Sequence, residues 1–303
     1  MDATLPPFDF VREYYPLAPH TFYRIGGVAR WAFLPRTSDE VRRAYAWMTE
    51  RKIPVLVMGA GSNMLIDDNG FSGGVLFTTE LKSIEPVGSE KYRCGAGVTL
   101  SDIVTTVMLP NNYTGVGALT GIPGTLGGAL YMNAGTVNGS ICQFAEIVTM
   151  VTSGGVETVH LRPQLYGYRK QSFCGNRDVI MEAQLSFTAS TKDESFVYRH
   201  YIQRRRETQP QGWCCGSVFK NPPENHAGRL IEACGLKGLR RGGAVISEKH
   251  ANFIMNDDNA SFEDVRGLIQ LVKDTVFDRC GIMLEEEVRI ITAGSAPEAP
   301  PAC

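Results

Sequence analysis

Apolar and polar positions along this chain follow two periods. In TSDEVRRAYAWMTERK (37–52) a Thr37–Glu40 capping box precedes Val41, Ala44, Tyr45 and Met48 on one helical face, which predicts an amphipathic helix. The run IPVLVMG (53–59), short and rich in Val and Ile, follows as a strand and leads into the glycine loop GAGSN. VLFTTEL (75–81) and KYRCGAG (91–97) read as further strands, and LSDIVTTVMLPNN (100–112) as a helix that stops before Asn111 and Asn112. From Val148 the pattern becomes strand-like, and VTMVTSGGVETVHL (148–161) has the form of a hairpin with Gly154 and Gly155 at its tip. Polar residues then gather in TASTKDES (188–195), the predicted junction between two units. Beyond it, HAGRLIEACG (226–235) reads as a short helix ending at Gly235, and GAVIS (243–247) and ANFIMN (251–256) as strands. The clearest helix is SFEDVRGLIQLVKDTVFDRCG (261–281), where a Ser261–Asp264 cap, a stripe of Val265, Leu268, Ile269, Val272 and Val276, and a terminal Gly281 agree with one another. MLEEEVRIIT (283–292) follows as a strand, and AGSAPEAPPAC as a disordered tail.

Length and composition narrow the function classes. The 303 residues suffice for two or three compact units. A net charge of -2 argues against a general nucleic-acid binder, which needs a basic excess to neutralise phosphates, so any anionic ligand must be met by local charge. No run reaches the roughly 20 apolar residues of a spanning helix, and MDATLPPFDFVREYY lacks a basic segment followed by an apolar one. A cytoplasmic protein with no membrane partner is expected. The eight cysteines form no C-x-x-C pair and no zinc-like spacing, so reduced thiols and no metal site are expected; the adjacent Cys214 and Cys215 receive no role.

Two glycine-rich loops are the strongest chemical signals. GAGSN, at Gly59, Ala60, Gly61, Ser62 and Asn63, lies at the end of a predicted strand, where several backbone N–H groups can point at one anion. It supplies only two of the three glycines of a G-x-G-x-x-G fingerprint, and LIDDNG after it looks like a turn, so a dinucleotide fold with helix-bound pyrophosphate is poorly matched. The second loop, GIPGTLGGALYMNAG (121–135), is uncharged; Pro123 stiffens it, and Gly127 and Gly128 allow close approach of a ligand or of another strand. Two such loops suit a pyrophosphate, while a buried, tightly packed turn explains the same glycines equally well.

TFYRIGG (21–27), GAGSNML (59–65), GIPGTLGGALYMNAG (121–135), YRKQSF (168–173), GSVFKNP (216–222), AGRLIEACGLKGLRRGGAVISEKHANFIMN (227–256) and LEEEVRI (284–290) together resemble, in order, the UDP-N-acetylenolpyruvoylglucosamine reductases, flavoenzymes of peptidoglycan precursor synthesis. The resemblance implies an α+β protein: a vanillyl-alcohol-oxidase-type FAD-binding domain over 1–190, in subdomains of about 1–80 and 81–190, a substrate-binding α+β domain over 191–293, and a tail over 294–303. The direct lead from YRKQSF to the substrate domain looks like the shorter subtype, without the extra tyrosine-bearing loop. TVNGS after Gly135 and the cysteines before the serine motif depart from the family pattern.

By the same resemblance, non-covalent FAD is held by Gly59, Ala60, Gly61, Ser62, Asn63, Gly121, Ile122, Pro123, Gly124, Thr125, Gly127, Gly128 and Ala129. NADPH reduces it, and the small-molecule substrate is UDP-N-acetylglucosamine enolpyruvate, with a monomer expected. Arg169 matches the family's catalytic arginine, a permanently charged group suited to an enolate; Ser217 matches the proton donor, and Glu287 the active-site glutamate. On a strand, Glu285 and Glu287 share a face, so alternation alone does not choose between them. Tyr168, Lys220 and Asn221 are nominated for substrate contact, the run Arg204–Arg206 is either local positive charge that steers anionic ligands or a solvated face, and His250 stays open between core residue and flavin neighbour. Two other classes compete. A sugar or alcohol oxidase of the same flavin fold often tethers FAD through a histidine, which GAGSN lacks; a non-catalytic flavin binder has no reason to bring Arg169, Ser217 and Glu287 together.

Overall fold

The computed structural model describes residues 5–293, so the expected tail 294–303 lies outside the described residues. The helix behind Thr37 runs Ser38–Glu50, with Thr37 Oγ1 accepting the Glu40 N–H at 3.2 Å. The other half of the predicted capping box is displaced by one residue: Glu40 Oε2 accepts from the Arg36 N–H at 2.6 Å. Val41, Ala44, Tyr45 and Met48 are buried as the pattern requires, in one core with Trp31 and Phe33 of one sheet and Val148, Met150 and Val179 of another.

The first of these sheets orders Val11–Pro16, Val28–Phe33, Phe71–Phe77 and Val55–Met58 side by side; the first pair is antiparallel and the remaining neighbours are parallel. Parallel pairing leaves the carboxyl end of Val55–Met58 free to deliver the loop that begins at Gly59, the edge at which open α/β sheets take ligands. The second sheet is antiparallel throughout, in the order Gly155–His160, Ala145–Thr152, Val179–Ser186, Lys91–Gly95 and Ile84–Gly88, with the predicted hairpin closing at Thr152 and Gly155. The helix expected at 100–112 begins at Leu100–Asp102 and continues as a π-helical turn, Ile103–Met108.

The C-terminal unit packs the helices Ala227–Ala233 and Phe262–Cys280 around the three strands Arg240–Arg241, Ala244–Ile246 and Ile254–Asn256. All five stripe residues of the long helix are buried, Ser261 and Asp264 form the capping box, and Gly281 ends the helix at φ 68°. This core recruits Tyr23, Ile25 and Leu65 from the first part of the chain, and Asp68 Oδ2 accepts the Phe262 N–H at 2.7 Å. MLEEEVRIIT is a strand only over Arg289–Ile291, paired in parallel with Met64–Ile66; Glu286 makes an isolated bridge to Phe219. The region read as a polar junction opens the helix Glu194–Thr208, capped by Asp193, whose Oδ1 accepts the Ser195 N–H at 2.9 Å. Only Glu194 of that helix is buried, so it carries no apolar stripe by which a sequence pattern would reveal it.

Candidate active site

A cavity of about 710 Å³ opens where the two glycine loops meet the C-terminal unit. Of the thirteen residues expected at the cofactor, Gly59 to Asn63, Ile122 to Thr125 and Gly127 to Ala129 line it; Gly121 is exposed and outside the lining, and a Cβ there would come within 2.6 Å of Arg205 Cδ. The loops touch directly. Ser62 Oγ donates to the Pro123 carbonyl at 3.2 Å, and a Cβ at Gly59 would approach Thr125 Oγ1 to 2.3 Å. The paired glycines divide two roles that the sequence left open: Gly127 lies against the strand region at Ala96, where a Cβ would come within 2.9 Å of the Ala96 Cβ, and Gly128 faces open space with only Thr125 Oγ1, at 3.7 Å, nearby.

This wall fits FAD. Thr125 is 3% exposed and its Oγ1 finds no hydrogen-bond partner, although a buried hydroxyl ordinarily has one. Arg289 Nη2 is likewise buried and unpartnered in the lining, its guanidinium stacked 4.8 Å from the Tyr131 ring centroid. Two orphaned polar groups, a glycine-rich cradle left open at Gly128 and loops with no acidic side chain form a surface suited to a pyrophosphate and a polar ring system.

Arg169 and Tyr168 are the two turn residues of a short hairpin, Tyr166–Gly167 paired with Lys170–Gln171. Arg169 takes a left-handed φ of 54°, a conformation seldom adopted by a side-chain-bearing residue and often found at functional sites. Its Nη2 donates to the Gly135 carbonyl at 2.7 Å, which aims the guanidinium across the cavity, and Nε lies 2.7 Å from Glu287 Oε1. That contact is an ion pair and not an aligned hydrogen bond, since the Nε–H direction meets no acceptor. Burial raises the Glu287 carboxyl above its ordinary pKa, against the pull of the Arg169 and Lys220 charges.

Ser217 lines the same cavity, next to Glu287 through the backbone: the Glu287 N–H donates to the Val218 carbonyl at 2.7 Å. The serine segment is pinned by buried Asn252, which accepts from the Phe219 N–H and donates to the Phe219 carbonyl. Asn63 fixes the opposite side, with Nδ2 donating to the Glu287 carbonyl at 2.9 Å and its own carbonyl accepting the Arg289 N–H at 3.1 Å. One residue therefore ties the first glycine loop to the acidic segment.

The acidic triplet separates by partner. Glu285 pairs with Lys220, Glu286 with Lys273 at 2.8 Å, and Glu287 with Arg169. Asn221 and Tyr168 line the cavity and touch each other, the Asn221 N–H donating to the Tyr168 hydroxyl at 3.3 Å, while Asn221 Oδ1 also accepts the Ala227 N–H at the start of a helix. Lys220 lies outside the lining and reaches the site through its charge. His250 does line the cavity; Nδ1 accepts the Asn252 N–H at 3.2 Å, and burial lowers its pKa, which favours the neutral ring.

The sequence pointed to the helix wall only through the basic run Arg204–Arg206, of which Arg204 and Arg205 line the cavity. Tyr201, Arg204, Arg205 and Thr208 line the cavity at i, i+3, i+4 and i+7, a helical period readable in the sequence had polar residues been counted as a face. Among the described residues no group of three or more His, Cys, Asp or Glu side chains forms a metal site, and no helix is long and apolar enough to cross a membrane. Cys214 and Cys215 are free thiols, the latter buried with Sγ donating to the Met64 carbonyl.

Comparison with known proteins agrees with this geometry. Residues 29–161 match an FAD binding domain family, and residues 208–291 match the C-terminal domain of UDP-N-acetylenolpyruvoylglucosamine reductase. UDP-N-acetylenolpyruvoylglucosamine reductase 2 of Bacillus cereus is 37% identical over 293 residues, covering 95% of both chains. The reductase of Chlamydia felis is 36% identical, over 96% of this chain and 98% of that one. Among solved structures, the UDP-N-acetylenolpyruvylglucosamine reductase of Thermus caldophilus superposes with a TM-score of 0.80 at 32% identity, over 93% of this chain and 100% of that one. A glucose dehydrogenase, Phl p 4.0202, superposes with a TM-score of 0.50 over 71% of this chain and half of its own, at 11% identity a likeness of fold alone. With full-length relatives above a third identical and both halves of the chain matched, this protein belongs to the UDP-N-acetylenolpyruvoylglucosamine reductase family.

Proposed function

We infer that the chain is an NADPH-dependent flavoenzyme that reduces the enolpyruvyl group of UDP-N-acetylglucosamine enolpyruvate to the lactyl ether of UDP-N-acetylmuramate, a step of peptidoglycan precursor synthesis. The observation that carries this reading is convergence: Arg169, Ser217 and Glu287, from three separate segments, meet at one cavity walled by both glycine loops. We assign residues 1–190 to the cofactor domain and 191–293 to the substrate domain, and take the working form to be a cytoplasmic monomer.

The glycine loops at Gly59–Asn63 and Ile122–Ala129 would hold FAD, which when bound and reduced by NADPH would supply hydride chemistry at the terminal vinyl carbon. The chain's own residues handle the charge and the proton that follow. Negative charge develops on the ether-bearing carbon and spreads into the adjacent carboxylate, where the Arg169 guanidinium stabilises it from a fixed position held by the Gly135 carbonyl. Glu287 orients that guanidinium from its other side. Ser217 donates the proton that completes the lactyl carbon, a task for which a hydroxyl must be positioned and polarised. Tyr168 and Asn221 flank the substrate's approach.

Anaerobic half-reactions test the assignment. NADPH is expected to bleach the flavin absorbance and the enolpyruvyl substrate to restore it without oxygen. Reoxidation by oxygen alone would favour the oxidase class. Ser217→Ala is expected to keep flavin reduction and to lose product formation by about 10²-fold or more; wild-type turnover in that variant removes Ser217 from the role of acid.

A further inference from the structure

Outside the cavity, two thiols meet where two helices of the C-terminal unit end. Cys234 follows Ala227–Ala233 as its cap residue, Cys280 is the last residue of Phe262–Cys280, and their Sγ atoms are 4.0 Å apart. Cys234 is buried at 4% exposure, whereas Cys280 is the one exposed cysteine among the described residues. The Arg279 guanidinium donates to the Cys234 carbonyl at 3.1 Å and so holds a positive charge beside the pair.

We propose that Cys234 and Cys280 are a thiol-modification site, at which a low-molecular-weight disulfide converts the two thiols reversibly into one intramolecular disulfide. Exposed Cys280, as its thiolate, attacks one sulfur of the small disulfide; a mixed disulfide forms and one small thiolate leaves. The Cys234 thiolate then attacks the Cys280 sulfur, the protein disulfide forms and the second small thiolate leaves. Two protein thiols have lost two electrons and two protons, and the small disulfide has become two small thiols. A bond of about 2.05 Å requires the sulfurs to close by about 2 Å, within reach of side-chain rotation and a modest shift at helix ends. The other described thiols are less well placed for this chemistry: Cys94, Cys142 and Cys174 are buried, with burial raising each thiol to about 12, Cys215 is buried and engaged with a carbonyl, and half-buried Cys214 is likewise raised by burial. The Cys234 thiol is also raised by burial, while the Arg279 charge favours its thiolate.

The test incubates the full-length, FAD-loaded protein with glutathione disulfide, quenches with acid, alkylates free thiols and maps peptides by mass spectrometry. The expected result is a linked Cys234–Cys280 peptide, abolished by dithiothreitol and absent from Cys280→Ser. In Cys234→Ser, glutathione should remain attached at Cys280, because the resolving thiol is gone. Retained flavin absorbance and an unchanged circular dichroism spectrum establish that each variant is folded. A wild-type protein that accumulates glutathione on Cys280 with no linked peptide overturns the proposal, as does equal consumption of Cys234 in the Cys280→Ser variant.

Discussion

Replacing Arg169 by methionine removes the guanidinium that faces Glu287 at 2.7 Å, while keeping an unbranched side chain at the same left-handed turn position. The two side chains are only 18% and 17% exposed, so the carboxylate left behind has little water to replace its partner. Removing one member of a buried pair costs about 3–5 kcal/mol; with the Lys220 charge remaining and a proton available to the carboxyl, about 2–3 kcal/mol is expected. The cost depends on pH with a definite sign. Burial already raises the Glu287 pKa and Arg169 opposes that rise, so the variant's carboxyl titrates higher still. Its folded form therefore binds a proton more tightly than either its unfolded form or folded wild type, and the variant loses stability relative to wild type as pH climbs from the wild type's own raised pKa through the variant's higher one. Paired melting curves should differ by about 5 °C at alkaline pH, where both carboxyls are ionised, and converge as pH falls and both become protonated. Rapid-mixing absorbance should show flavin reduction by NADPH at the wild-type rate and reoxidation by the enolpyruvyl substrate slowed by about 10²–10³-fold. A melting difference independent of pH, or reoxidation at the wild-type rate, would refute the pairing as the organiser of this site.

Gly128→Ala separates folding from cofactor binding: the helix Leu126–Met132 should gain about 0.5–1 kcal/mol of apoprotein stability, while the new methyl enters the cradle and weakens FAD binding by about tenfold. Fluorescence titration of apoprotein with FAD measures this, and undiminished affinity would mean the cofactor passes elsewhere. Asp68→Ala deletes the bond to the Phe262 N–H and should lower stability by about 1 kcal/mol, read as a shift in urea midpoint at constant slope; an unchanged midpoint would show that the Ser261 cap alone suffices.

What could be read from the sequence was what neighbouring residues decide among themselves. The helix Phe262–Cys280 is legible because its cap, its apolar stripe and its terminal glycine lie within one stretch of chain. The hairpin tip at Gly154 and Gly155 and the strand that ends at the first glycine loop are legible for the same reason. The motif-borne Arg169, Ser217 and Glu287 were legible as residues, their meeting was expected only through the family resemblance, and the shape of their cavity was not legible. Tertiary structure made the remaining choices. Glu194–Thr208 is helical with almost no buried stripe, held in part by Glu194, whose carboxylate accepts the Val116 N–H and the Ser190 hydroxyl. Gly127 and Gly128 are the same residue type side by side, yet one meets Ala96 and the other an open cavity. Along Glu285, Glu286 and Glu287 the sequence offers three identical carboxyl groups; their distinct characters come from Lys220, Lys273 and Arg169, which reach them from other segments. Ionisation and binding depend on charges and desolvation within a few ångströms in space, and chain folding, not chain order, sets those neighbours.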